Sequence, residues 1–174
     1  MWAGIALKKI LIAGEAGQTT NYENALAAMQ VHFVTSLQVK DVDEYDGLLL
    51  PGGGDVDPKL FGQLLIPETE IRQYSRWEQQ LIRKGQEKLT PELDRIQLAI
   101  LKAFCQYRKP VFGICKGMQL INIAFGGDML RHLPTAVHHA YREKDQMHPA
   151  RNEVNSFLYE VYGSDMLVNS AHHQ

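Results

Sequence analysis

The chain has 174 residues, of which 45% are hydrophobic and 22% are charged, as in a soluble globular protein with one sizeable core. Its 18 basic and 20 acidic residues give a net charge of −2, which excludes the basic surface of a nucleic-acid-binding protein. The sequence contains neither a run of about 18 apolar residues nor a signal peptide, so we expect a soluble cytoplasmic protein.

Short apolar segments alternate with helical patterns in the first part of the chain. Lys9–Ala13 is predicted to be a buried strand, and a helix is expected from about Tyr22 to Gln30. Val31–Thr35 and Asp46–Leu50 are predicted to be the second and third strands. Strands that alternate with helices indicate a three-layer α/β domain with a mainly parallel central sheet.

Three consecutive glycines follow directly after the third predicted strand, within Pro51–Pro58. Their backbone can approach a ligand closely and point N–H groups at it, and doubly wound sheets bind ligands at such loops. The alternative is a tight turn in which Asp55 and Asp57 cap a short helix. These two aspartates also suggest a metal site, but no third carboxylate has the spacing of a cation-binding loop. Because the segment follows the end of a predicted strand, where doubly wound sheets bind ligands, we favour a ligand-binding loop over a tight turn or a metal site.

Two helices are predicted in the middle of the chain. Tyr74–Glu87 has a helical pattern, and a second helix is expected after Thr90 as the N-cap, with Pro91 as its first residue. Cys105 lies in this second helix and is predicted to be a packed core thiol. The apolar residues of the second helix have the spacing of a helix that packs on a sheet: Leu93, Ile96, Ile100, Leu101 and Phe104.

The stretch Lys109–Gly127 has the pattern of a strand, a sharp turn and a helix, with a cysteine at the turn. Val111–Ile114 is predicted to be a strand covered on both faces, because it is short and almost wholly apolar. Gly113–Gly117 then has the pattern G-x-C-x-G, and Met118–Phe125 continues at helical spacing. These features are typical of a nucleophile elbow, in which the central residue is strained and glycines two residues away leave room for it.

Cys115 is expected at the N-terminus of the helix that follows, where the helix dipole and the free N–H groups favour thiolate over thiol. Lys116 can add positive charge nearby, and its backbone N–H is placed to form half of an oxyanion hole. The alternative is that Cys115 is a small buried hydrophobic residue and that the G-x-C-x-G pattern is a coincidence. The strand before it and the helix after it favour the nucleophile.

The C-terminal part of the chain is less regular. A strand is expected within Val161–Val168. Histidines concentrate here, but their spacing matches no metal-binding helix and no cluster of cysteines or carboxylates accompanies them, so no metal site is predicted. These histidines are His132, His138, His139 and His148.

Three segments in order resemble the class I glutamine amidotransferase-like superfamily and, within it, the γ-glutamyl-γ-aminobutyrate hydrolase (peptidase C26) branch: LLLPGGGDVDP, KPVFGICKGMQLINIAFGG and VNSAHHQ. The resemblance extends from about Asp46 to Gln174. It implies that residues 1–174 form a single α/β domain of that superfamily, which uses a Cys-His-Glu triad to cleave a γ-glutamyl amide through a thioester. It implies no cofactor, a small γ-glutamyl substrate and no nucleic-acid or membrane partner, and it is compatible with a homodimer.

The same resemblance implies roles for individual residues. Cys115 resembles the nucleophile, and the N–H groups of Gly53 and Lys116 resemble the oxyanion hole. Gln119, one helical turn after Cys115, resembles the residue that helps hold the glutamyl group. The segment that contacts the α-amino and carboxylate ends of the substrate corresponds to Ser170, His172, His173 and Gln174.

Two departures from the family pattern affect the expected activity. Lys116 stands where the family usually has arginine, which leaves the backbone N–H unchanged. The catalytic His and Glu of the family lie in an H-P-E-like motif beyond the HHQ segment, whereas this sequence ends at Gln174. We therefore expect a C-terminally truncated copy, a fragment or one piece of a cleaved chain, with an open sheet edge and little or no activity by itself.

Three functions are compatible with these observations. The first is a cysteine-dependent hydrolase of γ-glutamyl amides, and the second is a glutaminase subunit that supplies ammonia to a synthetase. The third is a truncated, inactive protein that binds glutamate-like ligands or nothing. A dienelactone-hydrolase-like protein is a fourth interpretation, against which the PGGG and HHQ segments argue.

Overall fold

A computed structural model describes residues 8–174, which form two compact units. The first unit runs to Leu65 and includes Arg83–Met129, and the second contains Ile66–Ile82 and Leu130–Gln174. The first seven residues belong to the single domain predicted over residues 1–174 and lie outside the described residues.

The first unit is built on a four-stranded parallel sheet in the order β2-β1-β3-β4. The four predicted strands are confirmed to within one residue at each end. The strand order reverses between β1 and β3, and in such sheets ligands bind beyond the carboxyl ends of the strands at that point. The strands are β1 Lys9–Ile12, β2 His32–Thr35, β3 Gly47–Leu50 and β4 Val111–Gly113.

Helices lie on both sides of this sheet, which confirms the predicted α/β fold class. Leu11, Leu48 and Leu50 face a core that α4 completes with Leu101 and Phe104. On the opposite face, α1 places Leu26 beside Ile10 and Leu49. Within residues 8–174 the α-helices are α1 Thr20–Ala28, α2 Glu68–Ile71, α3 Arg76–Glu87, α4 Pro91–Gln106, α5 Lys116–Ala124 and α6 Phe157–Tyr162.

Two expectations about burial in the first unit are wrong. The strand at Val111–Ile114 is not covered on both faces: among the described strands β4 pairs only with β3, and Phe112 is 65% exposed. Cys105 is not a core thiol but an exposed one. The buried stripe of α4 passes through Ile100, Leu101 and Phe104, and Cys105 lies off that stripe.

The second unit contains a two-stranded antiparallel ribbon, formed by β5 Gln146–Arg151 and β6 Asp165–Ser170. The strand expected within Val161–Val168 is confirmed as β6, which begins at Asp165. Val161 and Tyr162 belong to α6, whose N-cap Ser156 accepts a hydrogen bond from the N–H of Tyr159. Strand β5 was not predicted, because it contains Pro149, which is tolerated only at the edge of a sheet.

The helices formed by residues 8–174 include none that combines the length and the apolar character needed to cross a membrane.

Candidate active site

Cys115 lies at the sharp turn between β4 and α5, as the nucleophile elbow predicts. Its backbone angles are φ 53° and ψ −113°, a conformation that residues other than glycine rarely adopt. Its carbonyl oxygen accepts the N–H of Gln119 at 3.1 Å, and its side chain is exposed to solvent. The predicted strand, turn and helix are confirmed, whereas the role of Cys115 as a nucleophile stays a prediction.

Glycines on either side of Cys115 allow this turn to form. A Cβ at Gly113 would lie 2.6 Å from both the carbonyl carbon of Gly117 and Cδ1 of Ile121. A Cβ at Gly117 would overlap the carbonyl group of Leu50 on β3. Any side chain at either position would therefore push the helix away from the sheet, so the G-x-C-x-G pattern has a steric origin.

The glycine loop after β3 lies against the elbow. A Cβ at Gly52 would be 3.3 Å from Cβ of Cys115, and one at Gly53 would be 3.1 Å from Cδ of Lys116. The structure therefore brings Gly53, Cys115 and Lys116 together at the carboxyl edge of the sheet. Within residues 8–174, the backbone N–H groups of Gly53 and Lys116 donate to no acceptor.

Tyr22, in the first turn of α1, also borders this loop and was not predicted as a site residue. Its hydroxyl oxygen accepts the N–H of Gly52 at 2.8 Å. A Cβ at Gly52 would come within 2.6 Å of that oxygen. The hydroxyl therefore occupies the donor of Gly52, whereas the N–H of Gly53 has no acceptor among the described residues.

The side chain of Lys116 turns away from the solvent. It is only 2% exposed, its Nζ lies 2.5 Å from Oδ1 of the fully buried Asp94, and it donates to Oγ1 of Thr90 at 3.3 Å. The other carboxylate oxygen of Asp94 accepts the N–H of Asp57 at 2.9 Å. The expectation that Lys116 adds positive charge beside Cys115 is wrong, because Asp94 compensates that charge.

The capping role that the tight-turn alternative gave to Asp55 and Asp57 is confirmed for Asp57. The carboxylate of Asp57 accepts the N–H of Lys59 at 3.1 Å and caps the short 3-10 helix Pro58–Phe61. Within residues 8–174 no group of three or more histidine, cysteine, aspartate or glutamate side chains is placed to hold a metal ion.

A polar cavity of about 190 Å³ opens beside the glycine loop, at the carboxyl ends of β1 and β3. It is lined by Glu15, Gly53, Thr90, Gln97 and Lys116, among others. The Nε2 of Gln97, a buried side chain on α4, donates to the carbonyl oxygen of Ala13 at 2.7 Å. The candidate site thus lies where the strand order reverses, as expected for a doubly wound sheet.

Gln119 lies one helical turn after Cys115 on α5 and is half-buried. Its backbone N–H closes the first turn of the helix on the carbonyl oxygen of Cys115. It belongs to the same unit as Gly53 and Cys115. Its role in holding a glutamyl group stays a prediction.

The remaining predicted site residues belong to the second unit, at the end of β6 and just after it. Ser170 is buried, and its hydroxyl makes no hydrogen bond within residues 8–174. The backbone N–H of His172 donates to the carbonyl oxygen of His139 at 3.1 Å, and Nδ1 of His172 lies 2.9 Å from the carbonyl oxygen of Gln174. The carbonyl oxygen of His173 accepts the N–H of Leu133 at 2.7 Å.

Two groups of histidines fix this segment. Nδ1 of His173 lies 3.1 Å from Nδ1 of His132, whose Nε2 lies 3.4 Å from a carboxylate oxygen of Glu78. The hydroxyl of Ser75 donates to Glu78 and holds the pKa of that carboxyl below its usual range, with smaller contributions from the Ser75 backbone and from His132.

The second group is centred on His139, whose ring contacts those of His148 and His172 at centroid distances of 4.7 and 5.5 Å. Burial lowers the pKa of His139, and the neighbouring histidines lower it further. The neutral form of His139 is therefore the one that suits the folded unit.

Sequence reasoning missed Asp94 and Tyr22 for different reasons. Asp94 and Gln97 are polar residues at positions that face the core in the helical stripe of α4. Buried polar side chains of this kind are uncommon unless they have a partner, so this signal could have marked them. Tyr22 carried no such signal, because its contact with Gly52 depends on how α1 is placed relative to β3.

The chain is similar in sequence to proteins of one family. The family model described as Peptidase C26 matches residues 74–174. Protein NtpR of Enterococcus hirae is 29% identical over 142 residues, which cover 76% of this chain and 52% of that protein.

Two further relatives carry functional names. The putative glutamine amidotransferase-like protein YvdE of Lactococcus lactis subsp. lactis is 31% identical over 138 residues, which cover 74% of this chain and 50% of the relative. The gamma-glutamyl-gamma-aminobutyrate hydrolase of Escherichia coli O157:H7 is 30% identical over 100 residues, which cover 56% of this chain and 32% of that protein. The chain thus spans about half the length of the first two of these relatives and about a third of the length of the last one.

Proposed function

Because the chain belongs to the peptidase C26 family, we propose that the protein hydrolyses γ-glutamyl amides through a thioester, with Cys115 as the nucleophile. One observation carries this proposal. The strained elbow at Cys115 faces a glycine loop, and two backbone donors at this junction, those of Gly53 and Lys116, make no hydrogen bond within residues 8–174. Two N–H groups without acceptors beside a solvent-exposed thiol suit the oxyanion of an acyl transfer reaction.

The proposed reaction has two steps. The Cys115 thiolate forms a bond to the γ-carbonyl carbon, and the oxyanion of the tetrahedral intermediate accepts hydrogen bonds from Gly53 and Lys116. The C–N bond then breaks as the amine takes up a proton from a general acid, a role for which the family resemblance implies a histidine. Water attacks the resulting thioester, which releases glutamate and restores the thiol.

The proposal names a γ-glutamyl amine as the substrate class. Support comes from the similarity to the Escherichia coli relative named gamma-glutamyl-gamma-aminobutyrate hydrolase. Gln119 is proposed to hold the glutamyl group, and Ser170, His172, His173 and Gln174 are proposed to contact its α-amino and α-carboxylate ends.

The test uses the full-length gene product, incubated with a series of γ-glutamyl amides while glutamate release is measured. Cys115→Ala should abolish release, because no other group forms the thioester. Cys105→Ala is the matched control, since Cys105 is also an exposed thiol in the same unit and should be dispensable. Hydrolysis that continues undiminished in Cys115→Ala would refute the proposal.

A second candidate function is that of a glutaminase that supplies ammonia to a synthetase. It is favoured by the names of several relatives, including the putative glutamine amidotransferase Rv2859c of Mycobacterium tuberculosis. The two functions share Cys115 and differ in partner dependence. Glutamate release from glutamine that occurs only with a copurifying synthetase favours the amidotransferase, whereas release from γ-glutamyl amines by the isolated protein favours the hydrolase.

A further inference from the structure

A buried ion pair lies beneath the candidate oxyanion site, and the side chains that form it take no part in the proposed reaction. Asp94 on α4 is fully buried, Lys116 is nearly so, and their charged atoms are 2.5 Å apart. Removing two charges from water is costly, and well-packed apolar residues of similar volume often serve the stability of a fold as well or better. The pair therefore invites an explanation other than stability.

Asp94 contacts both chain segments that carry the proposed oxyanion donors. One carboxylate oxygen pairs with Nζ of Lys116, the residue that follows the nucleophile. The other accepts the N–H of Asp57 at 2.9 Å, at the far end of the loop that contains Gly53. The side chain of Lys116 passes directly beneath Gly53, where its Cδ lies 3.1 Å from the position of a Gly53 Cβ.

We propose that Asp94 is a positioning residue that holds the N–H groups of Gly53 and Lys116 at the separation an oxyanion requires. This inference rests on the proposed function. Oxyanion donors act only when they lie about 2.7–3.1 Å from the developing charge, and a displacement of about 1 Å can cost a factor of about 100 in rate. Asp94 links the glycine loop to the first residue of α5 through two contacts on a single carboxylate.

The inference predicts a particular kinetic pattern. The oxyanion exists in the transition state and not in the bound substrate, so losing the position of its donors should lower kcat and leave KM nearly unchanged. The thiol is not displaced, so the intrinsic reactivity of Cys115 should persist. A variant that removes both charges is needed for this comparison, because Asp94→Asn alone would leave the cation of Lys116 uncompensated near Cys115.

The experiment uses the full-length gene product with the double substitution Asp94→Leu and Lys116→Met, which replaces the pair by apolar residues of similar size and keeps the backbone N–H of residue 116. We expect kcat for a γ-glutamyl amide to fall about 10- to 100-fold, with KM within about twofold. Alkylation of Cys115 by iodoacetamide, followed by mass spectrometry, should keep its rate within about twofold. Amide hydrogen exchange in residues 51–57 should become faster, because the loop loses its anchor.

The matched control is Glu92→Gln, which breaks the exposed ion pair of Glu92 with Arg95 on the same helix. It should change neither kcat nor the exchange of the loop. A folded double variant with wild-type kcat, or one in which the exchange of residues 51–57 is unchanged, overturns the inference. The two proposals fail separately: hydrolysis that survives Cys115→Ala refutes the proposed function, whereas hydrolysis that needs Cys115 but not Asp94 refutes only the positioning role.

Discussion

The substitution Gly117→Ala tests the steric reason for the second glycine of the elbow. The new Cβ would lie 2.7 Å from both the carbonyl carbon and Cβ of Leu50 and would overlap its carbonyl oxygen, which accepts the N–H of Ile114 at 3.0 Å. Carbon atoms pack at about 3.5–4.0 Å, so α5 and β3 must separate by roughly 1 Å. Overpacking of this kind costs about 1–3 kcal/mol, and weakening the Ile114 bond adds about 1 kcal/mol. The higher helix propensity of alanine offsets at most about 1 kcal/mol of this loss in stability.

The net expectation is a loss of about 2 kcal/mol in the unfolding free energy of the first unit. Urea-dependent hydrogen exchange of the β3 amides is the suitable measurement, because these amides belong to the first unit and report on it directly. Gly54→Ala is the control, because the nearest atom to its Cβ is the carbonyl oxygen of Lys88 at 3.8 Å. Equal unfolding free energies for Gly117→Ala and Gly54→Ala would refute the steric argument.

Three further predictions concern capping and titration. Asp57→Ala should lower the free energy of unfolding, measured in urea, by about 1 kcal/mol because the cap of the 3-10 helix is lost. Asp57→Asn should lower it less, since asparagine also caps helices, and equal losses for the two variants would contradict this. Because the pKa of Glu78 is lowered in the folded protein, its ionised form stabilises the second unit at every pH above the ordinary carboxyl pKa. This stabilisation is lost as the pH falls through the lowered pKa of the folded state. Glu78→Gln should therefore be less stable near pH 7 and approach the wild type near pH 3, and a pH-independent difference would count against it. The lowered pKa of His139 means that its contribution to stability is complete above pH about 6.5 and declines below it. Trp77 fluorescence, measured in a Trp2→Phe background, should therefore show an acid-sensitive unit that His139→Gln makes less sensitive, and identical pH profiles would exclude this.

The parts of this fold that could be predicted are those that local patterns determine. The four strands of the sheet are short apolar segments bounded by glycine, proline or polar residues, and the helix after Thr90 begins with proline at its first position, as expected. The elbow at Cys115 was predictable for the same reason. Two glycines at fixed spacing around a cysteine, between a strand pattern and a helix pattern, indicate a sharp turn that needs room on both sides.

What could not be predicted depends on how distant segments are placed. Cys105 and Phe112 have apolar neighbours in the sequence, yet both are exposed, because burial depends on which strands and helices lie beside them. Strand β5 exists only as the partner of β6, and its Pro149 argues against a strand when the segment is taken alone. The burial of Asp94 is indicated by its place on the core-facing stripe of α4, but its pairing with Lys116 depends on how α4 lies beside α5.

The position of the candidate site depends on the register between β3 and β4. Leu50 pairs with Gly113, so the loop that contains Gly53 and the turn at Cys115 leave the sheet side by side. Shifting β4 by one residue would turn its side chains to the opposite faces and move Cys115 away from the loop. Only three residue pairs define this register, and β4 pairs with no other strand within residues 8–174. The close contact of Gly117 with Leu50 and the bridge from Asp94 to Lys116 act on the same junction, and they oppose such a shift where the ladder itself is short.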